Sequence, residues 1–409
     1  MPGLAAILLF ANIVGVTNLA PVQFDDGIEI GGDLRYFQFL ALENIDLPGL
    51  PNQRRDSELG VARLKLNVPL GEELSFEVHG VVQGTSPARA GSFSIASGTT
   101  RRFLNLETDI STDPDLRTKA EIDRLTLSWE QSGFQLVAGR QAITWGVNFF
   151  WPVLDLFAPF KPERIDREYK PGVDAVRLTV QLGDFSQIEL IGAGQGKDLD
   201  EDFSVGALGR FNVGATDIGV MAGHFHGDNV LGGFVTSDLA GTGLRAEVAW
   251  TNSGDVLDAL IGRESFWRAS LGIDRQLTPR ITLIAEAAYE GFGGKDAVDY
   301  LQIAIADRVR RGEITSLGRY YTGVSMAWLA GPLITTGAAV LTNWTDGSTL
   351  IQPNMSWSLS DNSVVLFGVI MGFGKGIASF PAQPEIVARL GSEYGATPVS
   401  VWGAFKTYF

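Results

Sequence analysis

Short segments in which apolar and polar residues alternate recur along almost the whole chain. In one of them, Ala62, Leu64 and Leu66 alternate with Arg63 and Lys65. A period of two residues places successive side chains on opposite faces of a β-strand. Each segment therefore predicts a strand whose two faces meet different surroundings. Turn residues and stretches rich in Gly, Ser and Thr stand between the segments, so the pattern predicts an all-β chain.

The spacing of these segments predicts how the strands are connected. The predicted strands cover residues 27–42, 57–68, 73–83, 120–130, 134–145, 173–182, 186–195, 203–212, 216–226, 229–239, 244–251, 267–274, 281–290, 317–329, 333–344, 349–359, 363–373 and 398–409. Alternation in 134–145 is irregular around Gly139, which predicts a β-bulge there. Residues 84–118 predict a surface loop, and residues 296–311 have helical spacing. Every connection from an even strand to the next odd strand is short, and the long connections all follow odd strands. This sidedness predicts a transmembrane antiparallel β-barrel of about 18 strands, with long extracellular loops and short periplasmic turns.

Composition excludes several other classes of protein. Beyond the extreme N-terminus, no apolar run reaches the roughly 20 residues that a membrane helix needs. The net charge of −15 disfavours a nucleic-acid partner, because such partners require basic patches. The chain contains no Cys, which suits an oxidising compartment. A soluble all-β protein is the alternative, but it would have to bury most of these apolar faces in one core, and no propeller-like repeat is visible.

The two ends of the chain carry further predictions. Residues 1–20 are small and apolar, which predicts a secretory signal peptide and leaves residues 21–409 as the barrel domain. A buried strand or a membrane anchor is the alternative for this segment. The chain ends in an alternating segment whose last residue is Phe409. That ending resembles the signal that the bacterial outer-membrane assembly machinery recognises. The resemblance implies a location in the bacterial outer membrane, with the assembly machinery and outer-membrane lipid as partners.

Charged residues on the strands predict the face that lines the lumen. A Lys or Arg that faces lipid at the membrane midplane costs about 2–4 kcal/mol, so these side chains should point inward. The candidates for the lumen and its selectivity are Arg63, Lys65, Glu77, Arg177, Glu189, Arg210, Arg245, Glu247, Arg268, Glu286, Arg319 and Lys406. They carry both signs of charge. Only vertical clustering would make a selectivity filter of them, and lining the lumen without such a role is the alternative.

One connection, residues 146–171, has an unusual composition for an exposed loop. Large apolar side chains in it would be costly to leave in water. We therefore predict that it folds into the lumen as a constriction or packs on the barrel rim. Its candidate residues are Phe149, Phe150, Trp151, Phe157, Phe160, Lys161, Arg164 and Arg167. A gate, a stacking surface for solutes and a structural plug are the three roles that this composition allows.

The residues around this loop resemble a known pattern. Gly139-Arg140-Gln141, then Trp145-Gly146, a long loop and Gly172-Val173-Asp174 are similar to a pattern of porin-like outer-membrane families, including the alginate-export type. In the export type, an electropositive constriction passes an acidic polysaccharide. The mixed charges of the predicted lumen do not support transferring that substrate to this chain.

Signals for catalysis or metal binding are weak, so we expect no enzyme activity, no metal and no cofactor. His224 and His226, with Asp228 nearby, could form a metal pair, but a solvated rim position is favoured. Residues 198–202 could bind a divalent cation, although a solvated turn is favoured there too.

The sequence predicts a channel for passive passage of small solutes or for export of a polymer, restricted by residues 146–171. A structural sleeve of a larger outer-membrane complex and a barrel-anchored surface protein are the alternatives. The solute and the oligomeric state are not predicted.

Overall fold

The computed structural model describes residues 22–24, 27–42, 56–86, 102–113, 115–196, 202–255, 257–258, 261–379 and 388–409. The predicted signal peptide, and residues 198–201 of the acidic loop, lie outside these residues. Eighteen long strands form the wall. The first nine are β1 Glu29–Ala41, β2 Ser57–Pro69, β3 Leu74–Ser86, β4 Arg117–Gln131, β5 Phe134–Gln141, β6 Val173–Gln181, β7 Gln187–Gly194, β8 Phe203–Val213 and β9 Thr216–Phe225. The others are β10 Asp228–Leu239, β11 Thr242–Asn252, β12 Ser265–Thr278, β13 Ile281–Glu290, β14 Tyr320–Gly331, β15 Ile334–Asn343, β16 Ser348–Ser360, β17 Ser363–Phe373 and β18 Ser400–Tyr408.

These strands close into one antiparallel barrel. Each strand pairs with its neighbours in sequence, and β18 pairs with both β17 and β1. The closure satisfies the backbone hydrogen bonds of the wall and leaves no long open edge. All even-to-odd connections are short turns at one end of the barrel, which we call the short-turn end; the opposite end is the long-loop end. The predicted fold class, strand number and sidedness are confirmed.

Alternation along each strand separates the inner face of the wall from the outer face. On β2, Arg63 points inward and is 5% exposed, whereas its neighbour Leu64 points outward and is 56% exposed. Leu190, Val220, Leu271 and Val324 are likewise apolar, outward-facing and exposed. The outer wall is therefore an apolar belt, and most of the charged side chains of the strands face the lumen. Among the described residues, no helix is long and apolar enough to cross a membrane.

The irregularity that the sequence predicted at Gly139 is not a bulge. β5 keeps a regular register with both neighbours through Gly139 and ends at Gln141, earlier than the predicted Trp145. Gly139 has φ +120°, and a Cβ there would lie 2.0 Å from the carbonyl oxygen of Leu125. Close approach of two strands is thus the reason for this glycine. The bulge of this region lies instead on β4 at Asp123, where the register with β3 shifts.

A short strand, Glu107–Thr112, fills the gap that β5 leaves when the chain turns inward at Gln141. It pairs with the part of β4 that extends beyond β5, although the sequence predicted only a surface loop there. On the outer face of the wall, beneath the residues that precede this short strand, Arg140 and Asp174 form an ion pair with a 2.8 Å contact. Arg140 also donates to the carbonyl of Leu104, and the N–H of Leu104 donates to Asp174 (2.8 Å). The pair thereby fastens this segment to the wall.

The long-loop end carries a small cap. A 3₁₀ turn Ala297–Asp299 and two short helices, α1 Tyr300–Ala304 and α2 Asp307–Arg310, lie between β13 and β14, where the sequence predicted helical spacing. Arg308 of α2 is 2% exposed, and its guanidinium carbon lies 5.1 Å from the centre of the Phe266 ring and 5.0 Å from that of Phe292. It donates to Asp258 and Asp228 at 2.9 Å each. These contacts hold the cap to the wall strands below it.

Candidate functional site

The connection between β5 and β6, residues 142–172, folds into the barrel. Leu154 and Phe157 pack against inward-facing residues of β6–β11. Phe150 and Trp151 pack against inward-facing residues of β1, β2 and β14–β18. The two packing surfaces lie on opposite arcs of the wall, so the loop crosses the lumen from one arc to the other. Of the two placements that the sequence allowed for this loop, the inward one is found.

Two glutamates of the wall hold the backbone of the loop. Glu247 on β11 and Glu286 on β13 each accept three backbone N–H groups. The donors are Val147 (2.6 Å), Asn148 (2.5 Å) and Leu154 (2.8 Å) for Glu247, and Phe149 (2.9 Å), Phe150 (2.9 Å) and Trp151 (2.6 Å) for Glu286. Successive N–H groups that point the same way form an anion-binding concavity. Here wall carboxylates fill it, so both glutamates position the loop.

Charged and aromatic groups fasten the end of the loop to the opposite wall. Asp166 accepts hydrogen bonds from Arg35 (2.7 Å) and Lys406 (2.8 Å). The guanidinium carbon of Arg63 lies 4.0 Å from the centre of the Tyr169 ring. Further ion pairs on this arc join Arg35 to Asp33 (2.7 Å), Arg63 to Asp123 (2.8 Å) and Lys406 to Glu168 (3.0 Å). Because the cations have carboxylate partners, this arc adds little net charge to the lumen.

The structure also places the other predicted residues. All predicted lumen residues except Arg319 occupy inward-facing strand positions. Arg319 lies just before β14, where its Nε donates to the carbonyl of Gly293 (3.0 Å). Inward-facing Asn67, Thr282 and Asn354 remain exposed. The lumen is therefore open to solvent on the short-turn side of the loop.

The candidate residues of the loop fall into two groups. Phe150, Trp151 and Phe157 are buried in the packing surfaces, so they hold the loop in place. Phe149 is 43% exposed and lies 5.0 Å from the guanidinium carbon of Arg167. The remaining candidates, Phe160, Lys161 and Arg164, are half-buried, and the guanidinium of Arg164 lies 4.7 Å from the Phe160 ring. The half-buried and exposed group is the part of the loop that a solute in the lumen can touch.

The two histidines that could have formed a metal pair do not share a strand face. His224 lies on β9, whereas His226 lies in the following turn with φ +53°. Its Nε2 is 3.4 Å from the carbonyl oxygen of Leu156 in the inward loop. Burial lowers the pKa of His226 to about 4, and the positive charge of Arg311 adds to this effect. Within the part of the chain that the structure describes, no group of three or more His, Asp or Glu residues could hold a metal ion.

Several residues of this site were missed in the sequence. Asp33 and Arg35 alternate with outward-facing Leu34 and Tyr36 on β1, so their period of two could have revealed them. Asp123 has no such signal, because the bulge on β4 turns both Asp123 and Arg124 inward. Glu247 and Glu286 are predicted as lumen and selectivity candidates; in the structure they face inward and accept the N–H groups of the loop, a contact that the sequence did not indicate.

Comparison with solved structures identifies the fold. The chain is similar to Acinetobacter baumannii OccAB4, with 10% sequence identity and a TM-score of 0.54 over 95% of this chain and 98% of that chain. Similarity to Pseudomonas aeruginosa OccK9 (OpdG) gives 13% identity and a TM-score of 0.54, over 95% and 100% of the two chains. For Salmonella typhi OmpF in complex with daunomycin, the values are 9% identity and a TM-score of 0.52, over 95% and 100%. At these identities the similarity shows the fold alone, which is the closed antiparallel β-barrel of these solved structures. No family model matches the sequence, and no curated protein matches it.

Proposed function

We propose that this chain is an outer-membrane channel through which small solutes pass passively, and that residues 146–171 restrict its lumen. One observation carries the proposal: the loop crosses the lumen and is anchored on both arcs of the wall. A barrel of 16–18 strands encloses an aqueous channel unless loops plug it. Exposed polar side chains on the short-turn side of the loop support a wet lumen there. Pore width and lining charge then set which solutes pass.

The proposal includes several features predicted from the sequence. The chain would be exported with residues 1–20 as its signal peptide, and the assembly machinery of a Gram-negative outer membrane would insert it. It would work without an enzymatic activity or a cofactor. The selectivity candidates are the exposed Phe149 and the half-buried Arg167 of the loop, together with the inward-facing charges of the wall.

Export of a polymer, as the resemblance to the alginate-export type implies, is the less favoured alternative. A chain-like substrate would have to pass beside a loop whose backbone is held by six N–H bonds to Glu247 and Glu286. The charged arc around Asp166 is also internally paired and is not electropositive. Both observations favour small solutes over a polyanionic polymer.

Single-channel recording in planar bilayers tests the proposal. The purified chain should give discrete conductance steps. Replacing residues 149–170 with a short Gly/Ser linker should raise the conductance severalfold, because the lumen would lose its largest obstruction. Heat-modifiable migration on gels would verify that the variant is folded. An unchanged conductance in a folded variant would exclude the loop as the restriction. If neither protein conducts, a sleeve or a surface anchor becomes the better explanation.

A further inference from the structure

The rim at the short-turn end carries an excess of acidic side chains. Glu29, Glu72, Glu73, Glu130, Asp184, Asp217, Asp238 and Asp361 lie in its turns or within two residues of a strand end. We call these residues the acidic rim. Among the described residues, the basic side chains in the corresponding positions are Arg280 and Lys406, and Lys406 is paired with Asp166 and Glu168. The acidic residues lie at the β18–β1 seam and at every short turn except β12–β13 and β14–β15. They therefore form a wide arc of charge and not a chelating cluster.

The carboxylates of the acidic rim have no cationic partners within the described part of the chain. Four of them accept hydrogen bonds from neutral groups: Glu29 from Gln23, Glu73 from Trp129, Asp217 from Asn212, and Asp238 from the N–H of Gly241. The charged groups around the inward loop differ, because there Asp33, Asp123 and Asp166 each contact Arg or Lys. Glu247 and Glu286 have no cationic partner among the described residues, but they are buried beneath the loop backbone. On the short-turn side of the loop, the exposed carboxylates without a cationic partner therefore lie at the rim.

We propose that the acidic rim makes the channel prefer cationic solutes to anionic ones, and that the preference originates at the rim and not at the loop. This inference rests on the proposed channel function. Charges of one sign around an opening raise the local concentration of counter-ions and speed their entry. The solutes favoured would be small inorganic cations and organic molecules that carry an ammonium or guanidinium group.

The origin of the preference has a measurable signature in its salt dependence. All rim carboxylates except the half-buried Asp217 are exposed to solvent, so their field extends about 10 Å at 0.1 M salt and about 3 Å at 1 M. A preference set by the rim should be strong in dilute salt and nearly vanish in concentrated salt. A preference set by buried charges beside the loop would change much less, because buried charges are screened less.

Reversal potentials in potassium chloride gradients test this inference. The wild type should pass K⁺ in preference to Cl⁻ by a factor of about two or more near 0.1 M, and by a factor close to one near 1 M, where the field is screened. The variant Glu72→Gln/Asp184→Asn/Asp361→Asn removes three of the eight rim carboxylates and should clearly lower the preference at low salt. Its three side chains have no hydrogen-bond or ion-pair partner among the described residues, so the barrel should fold normally.

A matched control removes the same charge at the long-loop end. Asp115, Glu264 and Asp296 are exposed there, and Asp115→Asn/Glu264→Gln/Asp296→Asn should keep the wild-type preference. Anion preference in the wild type, or an unchanged ratio in the rim variant, would overturn the inference while leaving the channel in place. Equal losses in both variants would show that overall charge acts and the rim does not. Absence of any conductance would instead remove the proposed function itself.

Discussion

At the scale of single residues, two carboxylates decide where the backbone of the inward loop lies. Glu247 and Glu286 each satisfy three N–H groups that would otherwise be buried without acceptors. A buried N–H that loses its acceptor costs about 1–3 kcal/mol. Packing of Leu154 and Phe157 fixes one flank of the loop, and the two carboxylates fix its path between the arcs.

The first prediction concerns Glu247→Ala. The N–H groups of Val147, Asn148 and Leu154 lose their acceptor, so the loop should open locally more often. We expect amide hydrogen exchange in residues 147–154 to accelerate at least about tenfold, which corresponds to about 1.4 kcal/mol of lost protection. Mass spectrometry of the protein in detergent measures this exchange.

Asp274→Ala is the matched control for that measurement. Asp274 also faces inward from the wall, but it pairs with Arg245 (2.8 Å). Its removal should leave exchange in residues 147–154 unchanged. Equal exchange in the wild type and the Glu247 variant would show that apolar packing alone holds the loop.

At the scale of elements, the inward turn at Gln141 leaves part of β4 without β5 as a partner, and a neighbouring segment takes that place. β4 continues beyond the end of β5, and its exposed edge would invite pairing with another chain. Glu107–Thr112 covers that edge. The Arg140–Asp174 pair, buried behind residues 102–106, ties the covering segment to β5 and β6. The inward loop therefore requires the covering segment, because the loop leaves the edge of β4 that this segment pairs with.

The second prediction concerns Arg140→Ala. It leaves Asp174 buried without its partner, which typically costs about 3–5 kcal/mol. It also frees the carbonyls of Leu104 and Ile122. We expect the covering segment to detach, so that proteases cut within residues 102–112 and the thermal unfolding midpoint falls by several degrees.

Arg245→Ala serves as the comparison for that variant, because Arg245 is half-exposed and pairs with Asp274. It should resist proteolysis like the wild type. If Arg140→Ala resisted proteolysis equally well, the ion pair would not be what holds the segment to the wall.

The elements differ in how far the sequence predicts them. Strands such as Ile281–Glu290 are bounded by Pro279 and Gly291 and alternate cleanly, so their limits follow from the sequence alone. A glycine inside a strand is ambiguous, because bulges and close approach both require it. Gly139 was assigned to the wrong one of these causes. The apolar content of the loop predicted packing against the barrel, but it left the lumen and the rim as alternatives.

The anchors of the loop could not be predicted in the same way. The contact of Val147 with Glu247 joins residues 100 positions apart, and no local pattern records which wall carboxylate meets which N–H group. Asp123 was hidden for a different reason, since a bulge changes the face that every later residue of its strand occupies. Long-range polar contacts and bulges thus account for most of what the sequence did not reveal.

At the scale of the whole molecule, the barrel exists only once its last strand meets its first. Phe409 completes that seam: its N–H donates to the carbonyl of Gly32 (3.0 Å), and the N–H of Gly32 donates back (2.7 Å). The ring of Phe409 covers Gly32, where an added Cβ would lie 2.6 Å from the ring. A role in closing the seam therefore accompanies the role in assembly that the C-terminal pattern predicts.

The third prediction separates these two roles of Phe409. In cells, Phe409→Ala should lower the amount of heat-modifiable barrel in the outer membrane without reducing export to the periplasm. In a second experiment, the purified variant is unfolded in urea and then refolded into lipid vesicles in the absence of any assembly machinery. If the ring closes the seam, refolding should be slower and the product less stable than the wild type. If Phe409 acts only as a signal, refolding should match the wild type.

Tyr408→Phe is the control for both assays. It keeps the neighbouring ring and loses only the hydroxyl that donates to Glu168 (2.9 Å), so it should behave normally in both. Normal assembly of Phe409→Ala in cells would contradict the signal, and normal refolding would contradict the seam, so each role can fail without the other.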